Sequence, residues 1–212
     1  MNSTTPDPIR LLLVDDHYFV RMGLAYSIGQ ETDVEIVGQA GTGREALETF
    51  RKLLPDVTLM DRSLPDQSGV EVIEQLRREY VGARFIMLSV DEAEEDIFRA
   101  VQAGAVGYLF KSAEREEILD AVRQVYAGNT YFPASVANQL DARSQRQPLS
   151  VREIEVLKMV AQGMANKQIA AALDVSEITV KVHVSSILEK LNVPDRTRAA
   201  TLAIERGIIH LS

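Results

Sequence analysis

Five short apolar runs alternate with amphipathic helical patterns between residues 9 and 127. The predicted strands are Ile9–Val14, Val34–Val37, Val57–Met60, Arg84–Leu88 and Val106–Phe110, and the predicted helices are roughly 18–29, 43–53, 69–80, 93–103 and 113–127. Repeated strand–helix units form a parallel sheet with helices on both faces, because parallel strands need a crossover connection. Residues 8–127 are therefore predicted to form an α/β domain with a five-stranded, doubly wound parallel sheet. Gly38 would end the second strand, since glycine often marks turns.

The pattern changes after residue 127. Residues 128–147 are rich in Gln, Ser and Arg, which predicts a linker with one short helix near 134–141. From 148 to 212 the pattern is helical only. Ser150 (with Glu153), Asn166 and Ser176 are predicted to cap the first three helices, and Pro194 and Asp195 to start the fourth. The short turn "DVS" between the second and third helices is typical of a helix-turn-helix. This part is predicted to be a second, smaller all-α domain.

Composition excludes several classes of protein. The 212-residue chain has no cysteine, which excludes disulfides and thiolate metal sites. No cationic start precedes a hydrophobic stretch, and no apolar run approaches ~18 residues, so we expect no signal peptide, no membrane span and a cytoplasmic location. From Pro148 onward there are 8 Lys/Arg and 7 Asp/Glu, which leaves 15 and 24 upstream, or +1 against −9. The acidic part is unsuited to non-specific nucleic-acid binding.

Charged side chains follow three of the predicted strands. Asp15 and Asp16 follow the first strand, Asp61 the third and Lys111 the fifth. Because ligands bind at the carboxyl ends of strands in an open α/β sheet, these groups should converge. Crowded carboxylates repel one another unless a cation joins them, and their oxygens suit Mg²⁺. An aspartate beside Mg²⁺ and a lysine is equipped to accept a phosphoryl group, although each aspartate taken singly could be an ordinary turn residue.

Specific motifs in both halves resemble one protein family. The motifs are "LLLVDDH", "DVTLMDRSLPDQSG", "IMLS", "GAVGYLFKSA", "LSVREIEVLKMVAQGMANKQIA" and "SEITVKVHVSSILEKL". Residues 9–127 resemble a flavodoxin-like response-regulator receiver domain, and residues 148–211 resemble the LuxR-type helix-turn-helix domain. In this order they are similar to the NarL/FixJ family of two-component response regulators over nearly the whole chain.

The resemblance implies roles for the residues at the strand ends. Asp61 would be the phospho-acceptor, and its donor would be a sensor histidine kinase or a small acyl phosphate. Asp16, Asp61 and the backbone carbonyl of Ser63 would bind Mg²⁺, with Asp15 acting through bound water. Lys111 would supply countercharge during in-line transfer. The Ser89 hydroxyl would bond the phosphoryl oxygen, and Tyr108 would turn inward as a switch or, alternatively, only pack at the sheet edge; Ser63 and Asp91 would flank the acyl phosphate.

The third helix of the second domain is predicted to read DNA. Its core face would carry Val180, Val184, Ile187, Leu188 and Leu191. The outward or flanking residues Ile178, Lys181, Val182 and Ser185 lie in the half of the helix that a recognition helix presents to base edges. The other DNA-contact candidates, mostly to phosphates, are Asn166, Lys167, Lys190, Arg196 and Arg198. The apolar ones could instead be scattered surface residues, and the charged ones solvated.

The resemblance also implies a homodimer on double-stranded promoter DNA. The fourth helix would form the dimer surface through Leu202 and Ala203, although ordinary core packing is the alternative.

Two other functions stay open: a Mg²⁺-dependent phosphohydrolase with an aspartate nucleophile, and a receiver that binds partners without phosphate. Hydrolases of the first kind carry a second aspartate two residues after the first, where this chain has Ser63. The chain is therefore not expected to be an enzyme beyond self-phosphotransfer and autodephosphorylation. No metal site is predicted from His17, His183 and His210 because they are far apart in the sequence.

Overall fold

The computed structural model describes residues 7–90 and 93–209, which divide into two compact units with the boundary along the chain after residue 137 and with 93–96 grouped with the second. The strands are β1 (Ile9–Val14), β2 (Val34–Ala40), β3 (Val57–Asp61), β4 (Phe85–Ser89) and β5 (Gly107–Phe110). The helices are α1 (Tyr18–Ile28), α2 (Gly43–Leu53), α3 (Gly69–Glu79), α4 (Glu94–Ala103), α5 (Arg115–Tyr126), α6 (Ala134–Ser144), α7 (Val151–Ala161), α8 (Asn166–Leu173), α9 (Glu177–Leu191) and α10 (Arg196–Glu205).

The first unit contains a five-stranded parallel sheet in the order β2-β1-β3-β4-β5. This confirms the predicted fold class. The segment after residue 127 is still hydrogen-bonded to the sheet. The Tyr108 amide donates to the Tyr131 carbonyl (2.9 Å), and the Tyr131 amide donates to the Val106 carbonyl (3.0 Å). The predicted domain limits of 8–127 and 148–212 remain predictions.

Both faces of the sheet are buried, as the apolar runs predict. Leu11 and Leu12 point to opposite faces of β1, and both are fully buried. One face packs against Ile28 of α1 and Val122 of α5. On the sheet's β4, the ring of Phe85 stacks on Phe50 of α2, with centroids 5.6 Å apart. A sheet covered on both sides has only its ends open to solvent, so a polar site belongs at a strand end.

The strand limits differ from the prediction mainly in β2, which continues through Gly38 to Ala40. The prediction that Gly38 ends this strand is therefore wrong. A Cβ on Gly38 would lie 2.7 Å from Leu53 Cδ1 and 2.9 Å from Thr49 Cγ2. The absence of a side chain at Gly38 thus lets α2 pack closely on β2. The glycine is needed for this tertiary contact and does not form a turn.

The second unit is helical, and its core brings together α7, α8, α9 and α10 through buried residues such as Leu157, Ile169, Val180, Ile187 and Ala203. The predicted caps Ser150 and Ser176 are confirmed, since each side chain accepts a hydrogen bond from a backbone amide three residues later. Asp195, at the predicted start of the fourth helix, caps α10 in the same way.

The predicted cap at Asn166 is wrong: Ala165 is the N-cap of α8, and the Gln168 side chain accepts from its amide (2.7 Å). The Gln168 side chain thus makes one of the two bonds of a capping box, and the Gln168 amide donates to the Ala165 carbonyl (2.9 Å) in place of a polar N-cap side chain.

The predicted linker helix is present and slightly longer than expected, as α6. Within the described ranges, no helix is both long and apolar enough to span a membrane.

Candidate functional site

The sheet brings Asp15 and Asp61 to the same edge. β1 and β3 are parallel neighbours, with Val14 opposite Met60, so the residues that follow these two positions lie side by side at the carboxyl end. Both side chains are withdrawn from solvent, since the residues are 1% and 2% exposed. Two buried carboxylates next to each other require a positive group.

Lys111 provides that positive group. It follows β5, and its Nζ lies 2.7 Å from Asp15 Oδ2 and 2.7 Å from Asp61 Oδ2. Its backbone amide donates to the Ser89 carbonyl (2.8 Å), which fixes the start of the side chain at the same end of the sheet. The predicted convergence of Asp15, Asp61 and Lys111 is therefore seen in the structure.

One ammonium does not balance two carboxylates and their burial. Burial raises the pKa of Asp61, the hydrogen bond and charge of Lys111 oppose the rise, and the charge of Asp15 adds to it. Burial disfavours the charged form of Lys111, but its hydrogen bonds to Asp15 and Asp61 outweigh this effect and raise its pKa. The pocket therefore keeps an excess of negative charge that a cation would relieve.

The oxygens of Asp15, Asp16 and Asp61 form a group that fits such a cation. One ligand atom from each of these residues and from His17 lies within 4.8 Å of the others. Asp16 is exposed, so it faces the solvent side of the pocket. Three carboxylate oxygen donors and an excess of negative charge are features that suit Mg²⁺. His17 lies in this group although its position in the sequence suggested no metal site; its adjacency to Asp16 was the available signal.

The loop after Asp61 is held at several points. The Ser63 amide donates to Asp61 Oδ1 (3.2 Å), while the ligand role of the Ser63 carbonyl stays a prediction. Asp66 accepts from the Gly43 and Arg44 amides (2.7 and 3.0 Å), which anchors the loop to the start of α2. A Cβ on Gly69 would lie 2.0 Å from the Asp61 carbonyl oxygen, so only glycine allows α3 to begin this close.

Ser89 and Tyr108 lie on the last two strands beside the pocket. Ser89 ends β4, is buried, and pairs with Phe110 of β5. The Tyr108 side chain is fully buried, with its ring edge-on to Phe110 (centroids 5.8 Å apart). Burial fits both the proposed switch and ordinary packing, so the inward turn of Tyr108 and its role as a switch stay predictions. Asp91 lies outside the described residues.

In the second unit, α9 presents the predicted outward face. Ile178 and Val182 are 74% and 62% exposed, so both large apolar side chains face solvent. Together with Lys181, Ser185, Ser186 and Glu189 they line one open surface groove.

Lys167 at the start of α8 is also exposed, and Asn166 is half-buried. The core face is as predicted, since Val180, Ile187 and Leu191 are buried and Val184 and Leu188 pack against the same core. The DNA contacts themselves stay predictions.

Three predicted phosphate contacts have partners within the protein, and one of them, Arg198, pairs with Glu205 (Nη1–Oε1 3.3 Å). Lys190 Nζ lies 2.7 Å from Glu153 Oε2, and Arg196 donates to the Met164 carbonyl (2.6 Å) and to Asn166 Oδ1 (3.4 Å). Sequence reasoning missed that Glu153 is buried and bound to α9, because the capping box alone explains a glutamate at this position.

The predicted dimer surface requires a correction. Ala203 is fully buried in the helical core, so its assignment to a dimer surface is wrong; its small side chain serves the packing of α10 instead. Leu202 is only partly buried and stays a candidate. Ile204, next along α10, is the large apolar residue that is exposed, at 41%.

Comparisons with known proteins agree with this arrangement. Residues 11–123 match the model of the response regulator receiver domain, and residues 147–203 match that of bacterial regulatory proteins of the luxR family. The transcriptional regulatory protein YxjL of Bacillus subtilis is 38% identical over 96% of this chain and 98% of its own length. The response regulator VraR of Staphylococcus saprophyticus is 34% identical over 95% and 99%.

Solved structures give the same picture. The response regulator ChrA, from a heme-sensing two-component system, is 38% identical, with a TM-score of 0.56 over 95% of this chain and 99% of its own. The RcsB response regulator of Salmonella typhimurium is 23% identical, with a TM-score of 0.74 over 92% and 98%, and shows likeness of fold alone.

Proposed function

The chain belongs to the response regulators that join a receiver domain to a LuxR-type DNA-binding domain, and from this premise we propose that Asp61 accepts a phosphoryl group from a sensor histidine kinase and thereby controls DNA binding. The observation that carries the proposal is the contact of one ammonium, Lys111, with both Asp15 and Asp61 at 2.7 Å in a buried pocket at the end of the sheet. Because DNA binding needs access to the chromosome, we also propose a cytoplasmic location.

Transfer would make one bond and break another at phosphorus. An Asp61 oxygen attacks the phosphorus of a phosphohistidine, the P–N bond breaks, and the imidazole leaves and takes up a proton. Attack requires the ionised carboxylate, and Lys111 favours that form against the effect of burial. The Ser63 amide orients the other Asp61 oxygen (3.2 Å), so the carboxylate cannot rotate freely. Positioning and countercharge are the main contributions a protein makes to phosphoryl transfer.

Asp15, Asp16 and Asp61 would hold Mg²⁺, which when bound supplies positive charge to the equatorial phosphoryl oxygens. The remaining work falls to the chain itself. Lys111 holds Asp15 and Asp61 together, and burial of both carboxylates limits the access of water. The Ser89 hydroxyl would then bond the phosphoryl group, and Tyr108 would pack behind it. Slow hydrolysis of the acyl phosphate would reset the protein, which is the extent of its proposed catalytic activity.

The α9 face would read the DNA. Ile178 and Val182 suit contact with thymine methyl groups, while Lys181 and Ser185 suit phosphates or base edges. A helical unit with a net charge of +1 from residue 148 onward neutralises few phosphates, so one copy should bind weakly. We therefore propose that two phosphorylated copies bind a two-half-site promoter, with Leu202 as the remaining candidate of the dimer surface.

Labelling with radioactive acetyl phosphate tests the proposal. Wild type should incorporate label in the presence of Mg²⁺, and Asp61→Asn should not. Asp120→Asn, an exposed carboxylate on α5, is the matched control and should behave as wild type. Phosphorylation should also raise the affinity for a duplex that wild type selects from a randomised library. Undiminished labelling of Asp61→Asn would refute the acceptor assignment, and an affinity that does not respond to acetyl phosphate would refute the control of DNA binding.

A further inference from the structure

Glu153 is a buried charged residue that connects two helices of the second unit. It lies in the first turn of α7 and is 4% exposed. Its Oε2 accepts from the Ser150 amide (2.6 Å) and from Lys190 Nζ (2.7 Å), and its Oε1 accepts from Ser186 Oγ (2.7 Å). Ser186 and Lys190 both belong to α9. One carboxylate therefore caps α7 and holds α9 at two points one helical turn apart.

A capping box alone does not require these contacts. The same motif opens α3, where among the described residues the Glu71 carboxylate bonds only to Ser68, through the amide (2.8 Å) and the hydroxyl (3.1 Å). Glu71 is exposed, whereas Glu153 is buried. The chain thus contains an internal comparison in which the local motif is equal and only the contacts to a second helix differ. Burial of a charge is costly, so the extra contacts of Glu153 serve something beyond capping.

The two contacts restrict α9 next to its outward face. Ser186 lines the same groove as Val182 and Ser185, so the Glu153 contact lies directly beside the predicted base-reading residues. Contacts at residues 186 and 190 oppose both rotation of α9 about its axis and sliding along it. Hydrogen bonds to base edges tolerate displacements of only a few tenths of an ångström.

The same contact occupies a cation that the sequence analysis names as a candidate for phosphate contact. The Lys190 side chain is 22% exposed, and its ammonium is paired with Glu153. Freed of Glu153, this ammonium would be available to a DNA phosphate on any sequence. Because the net charge of residues 148–212 is only +1, one additional phosphate contact should change the non-specific DNA affinity substantially.

We propose that Glu153 is a positioning residue for DNA recognition: through Ser186 it fixes the orientation of α9, and through Lys190 it withholds a positive charge from non-specific phosphate contacts. The inference rests on the DNA-binding function of the helical unit. Glu153 would therefore lower the affinity for non-specific DNA and increase the discrimination between DNA sequences. A purely structural residue would affect both affinities equally, through the fraction of folded protein.

The test compares two duplexes and four full-length proteins. The probes are a duplex that wild type enriches from a randomised library and a scrambled duplex of the same composition. In Glu153→Gln, the affinity for the scrambled duplex should rise by about 3- to 10-fold, with a salt slope steeper by about one, because one additional phosphate is neutralised. The ratio of the two affinities should fall by about tenfold or more, since one displaced base contact costs this much. Glu71→Gln is the matched control and should leave both affinities unchanged.

The double variant Glu153→Gln with Lys190→Met separates the two effects. Removing the freed ammonium should return the scrambled-duplex affinity and the salt slope to wild-type values, while discrimination stays low. Equal losses for both duplexes, in proportion to the fraction unfolded by circular dichroism, would overturn the proposal. If wild type enriches no duplex, the proposed sequence recognition fails; the salt slope on the scrambled duplex still decides whether Glu153 withholds Lys190, and an unchanged slope would overturn that part as well.

Discussion

Asp61 and Glu153 are both buried carboxylates with a lysine partner at 2.7 Å, yet their environments shift their pKa values in opposite directions. Burial opposes ionisation of Glu153, but bonds from Lys190, Ser186 and Ser150 outweigh it and lower its pKa to about 2. Burial also opposes ionisation of Asp61; it must share Lys111 with Asp15, and its pKa is raised. A carboxylate with enough donors becomes a structural element, whereas one with too few keeps the capacity to bind a cation or react.

The two units also differ in composition in a way that helps to measure them separately. The six tyrosines and six phenylalanines all lie at or before Phe132, and the chain has no tryptophan. Tyrosine fluorescence therefore reports on the first unit, while far-UV circular dichroism also follows the helices of the second. Unfolding of each unit can be measured in the full-length protein.

Removal of the shared ammonium should have the largest effect. Lys111→Met leaves Asp15 and Asp61 without the positive group that both contact, and it removes countercharge from the transition state. The rate of labelling by acetyl phosphate should fall by about 10²- to 10³-fold, the usual effect of losing one such group. Lys52→Met, an exposed lysine on α2, should label at the wild-type rate. A fall of less than threefold in Lys111→Met would mean that Lys111 is not part of the reactive pocket.

Acid should weaken the second unit through Glu153. Because the folded-state pKa of Glu153 is lowered to about 2, its contribution to stability is present above its unfolded pKa and is lost as pH falls through the folded one. The free energy of unfolding of wild type relative to Glu153→Gln should fall by on the order of 3 kcal/mol between pH 5 and pH 2. Circular dichroism measures it, with Glu71→Gln as the control. A difference that is independent of pH would show that the charge of Glu153 adds no stability.

A smaller change, in this case an increase in stability, is expected when a buried hydroxyl group in the sheet is removed. Thr58 on β3 is fully buried, and its Oγ1 has no hydrogen-bond partner among the described residues. Thr58→Val keeps the shape and removes the unsatisfied group, so the first unit should gain about 1.5 kcal/mol. Tyrosine fluorescence during urea unfolding measures the change, and the exposed Thr130→Val is the control. Destabilisation by Thr58→Val would show that the hydroxyl has a stabilising partner.

The smallest effect is expected at an exposed neutral cap. Ser176 opens α9 and accepts from the Thr179 amide (3.1 Å). Ser176→Ala should cost about 1 kcal/mol of second-unit stability, and the cost should not depend on pH because no ionisable group is involved. Circular dichroism melts of Ser176→Ala and of Ser185→Ala, an exposed serine within the same helix, provide the comparison. Equal stability of the two variants would contradict a capping role.

The order of elements and the acidic edge of the sheet could be predicted because they depend on local patterns. Apolar runs and helical periodicity identify strands and helices, and the caps at Ser150 and Ser176 act on amides three residues away. The meeting of Asp15, Asp61 and Lys111 follows from parallel strands ending at one edge. The predicted cap at Asn166 is wrong because the helix begins one residue earlier, at the N-cap Ala165, whose amide donates to the Gln168 side chain.

Sequence by itself therefore determined the fold class, the family and the acidic pocket, since each follows from chain neighbours or from strand direction. Tertiary structure alone decided which charged groups are used internally. It paired Lys190 with Glu153, directed Arg196 to the Met164 carbonyl and buried Ala203 in the core. These outcomes depend on distances of a few tenths of an ångström between residues far apart in the chain, and hydrogen bonds and close packing change sharply over such distances.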